Sequence, residues 1–151
     1  MVLGYDKPRP KAENYIDFMH KLVTNLKKVD SPGLSLMVYG SWIRGDYDPG
    51  RSDIDGVLIF PDEVVIDKGN MRKVSQVFHD AQKGNNVPIQ ITITDLRTMQ
   101  DGRFNSYSPH FREYFEKEGE VFIGPDYRDE FRFELPTFSD QGNVTENLRK
   151  A

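Results

Sequence analysis

The stretch YGSWIRGDYDPGRSDID, residues 39–55, decides the fold. It lies between two apolar runs, LSLMV at 34–38 and GVLIF at 56–60. Both runs are short and bounded by breakers, so Leu34 to Tyr39 and Ile54 to Phe60 read as strands. Gly40 and Ser41 close the first, and Asp53-Ile54-Asp55 opens the second. Residues two apart on a strand share a face, so Asp53 and Asp55 point one way and Ile54 the other. Two unpaired carboxylates at the start of a buried strand repel each other and lose hydration. A divalent cation relieves both costs. A compact set of oxygen ligands suits Mg²⁺, which keeps waters and takes further oxygens from phosphate. Gly40 lets a ligand approach the backbone, and Ser41 with the amides after it can donate to phosphate oxygens.

Outward from this stretch, Lys11 to Lys28 carries Tyr15, Phe18, Met19, Leu22, Val23 and Leu26 at helical spacing. Asp30-Ser31-Pro32-Gly33 stops that helix. A second amphipathic stripe, Met71, Val74, Val77, Phe78 and Ala81, predicts a helix over 70–82. After the turn Gly84-Asn85-Asn86, Val87 to Thr94 alternates as a strand, with Gln90, Thr92 and Thr94 on one side. Asp95 can cap a short helix over Leu96 to Gln100. Pro109 to Lys117 reads as a helix, and Glu120 to Ile123 as a short strand before Gly124-Pro125. The order of elements predicts an α/β fold, a mixed β-sheet with helices packed on it. Residues 1–135 form one expected domain, and 136–151 are a polar tail or the start of a further segment.

Composition narrows the function. The chain has 151 residues, 37% hydrophobic and 29% charged, enough for one domain with a core. No apolar run reaches the length of about 18 residues that a membrane span needs, and MVLGYDKPRP has no signal-like apolar segment. The absence of cysteine fits a reducing compartment, and a cytoplasmic location is expected. A net charge of −4 argues against gripping extended duplex nucleic acid. A small anion with a divalent cation stays compatible. An EF-hand at Asp46 and Asp48 fails, because Arg51 stands where its glycine belongs and Val57 where its glutamate belongs. A P-loop fails for want of Gly-Lys-Ser/Thr.

Gly40-Ser41, Gly45 and Ser52-Asp53-Ile54-Asp55, set between two apolar strands, resemble the signature of the DNA polymerase β-like nucleotidyltransferase superfamily. The likeness is nearer to its minimal and antibiotic nucleotidyltransferases. It covers Leu34 to Phe60, and extends through Thr94 by order of elements. The resemblance implies transfer of a nucleoside monophosphate from a nucleoside triphosphate to a hydroxyl acceptor, small molecule or protein. It implies Mg²⁺, or Mn²⁺, on Asp53 and Asp55, and the triphosphate on Gly40 and Ser41. Arg44 and Arg51, in the loop between the strands, are further phosphate candidates, although solvated loop arginines are common.

The chain departs from the family at its third carboxylate. The corresponding strand is VPIQITIT, residues 87–94, and its inward polar position is Gln90. An amide can ligate weakly but cannot accept a proton. Asp95 is the second candidate, five residues on and on the opposite side of a regular strand. The resemblance therefore points to a nucleotidyltransferase of reduced rate. The alternatives are a non-catalytic nucleotide-binding protein, or an antitoxin-like interaction protein on the same fold. The aromatic-rich span Phe104 to Phe133 motivates the last, along with a possible homo-oligomer or protein partner, although most of its rings read more simply as core.

Overall fold

A computed structural model describes residues 8–61, 68–101 and 107–133. Its elements run α1 (Ala12–Leu26), β1 (Ser35–Tyr39), α2 (Ser41–Arg44), β2 (Ile54–Phe60), α3 (Lys68–Gln82), β3 (Ile89–Asp95), α4 (Leu96–Gln100), α5 (His110–Glu118) and β4 (Glu120–Ile123), then a 3₁₀ turn over Arg128–Glu130. The four strands form one mixed sheet in the order β3-β2-β1-β4. The β1–β2 and β1–β4 pairs are antiparallel, and β2–β3 is parallel. The parallel pair has helix α3 in its crossover, which gives the chain the length needed to return in the same direction. The expected polar tail at 136–151 and Phe104 lie outside the described residues. No helix among the described residues is long and apolar enough to cross a membrane.

Strand alternation divides the core between the two faces of the sheet. Leu36, Val38, Ile54, Leu58 and Phe60 pack against Tyr15, Phe18, Leu22 and Leu26 of α1 and Val74 and Ala81 of α3. Met37, Val57 and Ile59 face the other way, onto Leu96 and Met99 of α4, Phe115 of α5 and the buried rings of Tyr107, Phe131 and Phe133. The stripes read from the sequence are therefore the buried faces of α1 and α3. Most of the aromatic-rich span is core as well. Among its described rings, Tyr114 is the exposed one, at 47%.

Two boundaries move for identifiable reasons. The third strand begins at Ile89 rather than Val87, because the Gln82 side chain takes both backbone groups of Val87. Its Nε2 donates to Val87 O at 2.7 Å, and its Oε1 accepts from Val87 N at 2.8 Å. The last helix includes Glu118 and is closed by Arg128, whose Nη1 donates to Phe115 O at 2.9 Å and Gly119 O at 2.8 Å. A cation at a helix C-terminus satisfies carbonyls that the helix leaves unpaired. Asp126 holds that guanidinium in turn, at 2.6 Å.

Candidate active site

Strand register sets the site. Tyr39 pairs with Asp55, and Asp55 pairs with Gln90. Paired residues project from the same face of a sheet, so the three side chains form a row on the α5 side. Glu118, just before edge strand β4, stands at the far end of that row beyond β1. The row lines a cleft of about 390 Å³ with Gly40, Arg44 and Thr92, roofed by Tyr107, Phe111 and Tyr114.

Gly40 is the hinge of this arrangement. It sits at φ 92°, ψ −164°, a region open in practice to glycine alone. A Cβ at this position would overlap Asp55 Oδ2. The carboxylate thus lies directly against the backbone at the end of β1. The chain then turns into the single helical turn of α2, where Arg44 N donates to Gly40 O at 3.1 Å. Trp42 packs on Phe122 of β4, ring centroids 6.3 Å apart, and anchors α2 to the sheet.

Asp53 precedes β2 in a loop held from two sides. The Asp48 N–H donates to Ser52 Oγ at 2.8 Å. The Tyr15 hydroxyl on α1 donates to Ser52 O at 2.6 Å and accepts from Gly50 N at 2.9 Å. The Asp53 carboxyl lies close enough to Asp55 to act on its charge. Burial first, and the Asp53 charge second, push the Asp55 carboxyl up to about 6, with Arg44 acting in the opposite direction. Such a group binds a proton or a cation more readily than a solvated aspartate. Above it, the rings of Tyr39 and Tyr107 both pack on Phe111 and Phe115. Burial raises both phenols above their ordinary value, with Asp55 adding to the shift.

The other sequence candidates occupy different surroundings. Arg44 Nε donates to Asp46 at 3.2 and 3.3 Å, and its Nη1 to both oxygens of Glu118 at 3.1 Å. Arg51 is 70% exposed, 3.7 Å from Asp48, and outside the cleft lining. Asp95 pairs with Phe60 at the opposite end of the sheet, and its Oδ1 accepts from Thr98 N at 2.7 Å as the cap of α4. Ser41 is the first residue of α2, half-buried beside Gly40. Among the described residues, no three His, Cys, Asp or Glu side chains gather into a metal cage. Two carboxylates suit instead a cation that takes its remaining oxygens from water or a ligand.

Sequence reasoning did not place Tyr39, Tyr107 or Glu118 in the site. The first two look like ordinary core aromatics. Glu118 is one of three acidic residues on α5, and only the β1–β4 pairing brings it to Gly40.

Comparison with known proteins gives the family of the chain. The nucleotidyltransferase domain family matches residues 19–122, more than half of the chain. No curated protein matches it. Among solved structures, a toxin–antitoxin crystallised with AMP-PNP is 20% identical, with 74% of this chain and 77% of that one covered and a TM-score of 0.44. A variant of the toxin–antitoxin MntA-HpeT is 17% identical over 74% and 76%, at 0.43. A protein from Sulfolobus solfataricus described as a nucleotidyltransferase is 19% identical over 87% and 100%, at 0.39.

Proposed function

The chain belongs to the nucleotidyltransferase domain family, and on that premise we propose that it is a Mg²⁺-dependent enzyme of the minimal or antibiotic type. It moves a nucleoside monophosphate from a nucleoside triphosphate to a hydroxyl acceptor. The observation that carries this reading is the Asp55 carboxylate lying against Gly40 within one cleft, with Asp53 beside it. Asp53 and Asp55 hold the cation. The backbone after Gly40 and the Ser41 hydroxyl hold the phosphate chain, with Arg44 at its end. When bound, the cation supplies charge neutralisation along the polyphosphate. The chain's own groups hold the triphosphate so that an acceptor oxygen can bond to the α-phosphorus as the bond to pyrophosphate breaks. Catalysis is placement and electrostatic stabilisation.

Gln90, in register with Asp55, supports a slow enzyme. Its amide can orient the acceptor hydroxyl but cannot take its proton. Asp95 has its Oδ1 engaged in capping α4 and faces away from the row, so it is the weaker candidate for the third position. The same glutamine supports a second reading, in which the protein binds nucleotide without transferring it. The deciding experiment is a screen of the four triphosphates with Mg²⁺ or Mn²⁺, reading pyrophosphate release with and without hydroxyl acceptors. Release that disappears in D53N/D55N supports transfer. Metal-dependent binding with no release from any triphosphate supports the second reading.

A further inference from the structure

Two donors at the mouth of the proposed phosphate site, Arg44 and the amide of Gly40, are engaged by a carboxylate of the chain itself. Gly40 N donates to Glu118 Oε1 at 3.1 Å, and Arg44 Nη1 donates to Oε1 and Oε2, each at 3.1 Å. One backbone amide and one guanidinium thus converge on a single pair of anionic oxygens. A phosphoryl group offers the same donors the same kind of partner. We infer that Glu118 is an exchangeable ligand of the phosphate donors, and that it makes the site selective for a metal-chelated polyphosphate over simple anions. This inference rests on the function proposed above.

Three features make Glu118 an exchangeable partner. Its backbone is fixed, because Arg128 bonds the carbonyls of Phe115 and Gly119 on either side of it. Its side chain lines the cleft and belongs to neither core cluster, so exchanging its partners leaves the core packing in place. The charges around it favour exchange by one class of ligand. Arg44 pairs with Asp46 as well as Glu118, and Asp55, beyond Tyr39 in the row, feels both Arg44 and Glu118. Carboxylates therefore outnumber the guanidinium. A bare anion entering here meets repulsion and must also displace an intramolecular partner. A polyphosphate carrying Mg²⁺ brings the cation that Asp53 and Asp55 need and the oxygens that replace Glu118. Rejection of the wrong ligand by built-in repulsion is an effective source of specificity.

The rival role for Glu118 is a fixed strut that keeps Arg44 aimed at phosphate, and the two roles predict opposite signs. Calorimetric titration of wild type, E118Q and E118A with tripolyphosphate and with pyrophosphate, each with Mg²⁺ and with EDTA, separates them. Circular dichroism verifies that the variants fold, and E118A covers the case in which the glutamine amide rebuilds the contact. Loss of one charge-assisted contact is expected to tighten Mg²⁺-tripolyphosphate binding about tenfold. It should also bring metal-free pyrophosphate into measurable range. Weaker or unchanged binding in both variants, with wild type still binding Mg²⁺-tripolyphosphate, overturns the inference and leaves the proposed function standing. If no form of the protein binds any of these ligands, the proposed function falls along with it.

Discussion

Replacing Asp55 by asparagine should stabilise the metal-free protein, and only above a definite pH. The Asp55 carboxyl is raised from 3.8 to about 6, by burial first and by Asp53 second. A raised acid favours the protonated folded state. Its contribution to stability is complete below the unfolded value near 4 and is lost as pH climbs through 6. A shift of about two units corresponds to a ceiling of about 3 kcal/mol. The group is only half-buried, and solvent screening reduces the figure to about 1–2 kcal/mol. Asparagine keeps the shape and never ionises. In EDTA at pH 7.5, D55N should therefore melt about 2–8 °C above wild type, at about 2–4 °C per kcal/mol for a domain of this size. At pH 4 the two should melt together. Thermal unfolding followed by circular dichroism from pH 4 to 8 measures the gap. A gap that does not vary with pH, or a D55N protein less stable than wild type at pH 7.5, would refute the reasoning. Adding Mg²⁺ and a triphosphate should reverse the order, because only wild type gains ligand stabilisation.

Other changes follow from the same geometry. G40A places a Cβ against Asp55 at a backbone angle that alanine resists, so it should cost about 2 kcal/mol or more in chemical denaturation and abolish metal-dependent triphosphate affinity. Q90E restores a carboxylate opposite Asp55, and should raise the rate of pyrophosphate release and make the melting temperature more dependent on Mg²⁺. An inert Q90E would remove this strand from the metal site. D95A deletes the cap on α4 and should cost about 1 kcal/mol of stability with triphosphate affinity unchanged. If D95A instead destroys turnover while stability holds, Asp95 takes the place given to Gln90.

Local chemistry was legible in the sequence. Phe60 before Pro61 ends β2 where the run GVLIF stops, and Asp95 caps α4 as its position before Leu96 to Gln100 suggested. The shared direction of Gln90 and Thr92 also followed from strict alternation, and both line the cleft. Non-local pairing was not legible. Nothing in the sequence says that β1 is flanked by β2 and β4, and that order alone carries Glu118 to Gly40. The displaced start of β3 was hidden for a related reason. Val87 has the right residue type for a strand, but the side chain of Gln82 captures its backbone before β2 can. Arg44 shows the same limit. Its place in the loop suggested phosphate, while its partners, Asp46 nearby and Glu118 across the fold, depend on tertiary structure.

The central claim is that Asp53 and Asp55 hold a cation through which a triphosphate is bound beside Gly40 and Ser41. Its most direct test is calorimetric titration of each nucleoside triphosphate into wild type and D53N/D55N, with Mg²⁺ and again with EDTA. Wild type should bind only with the metal, and the double variant, still folded and melting no lower than wild type, should not bind. Metal-dependent affinity that survives in the double variant, or a wild type that binds no triphosphate under either condition, would contradict it.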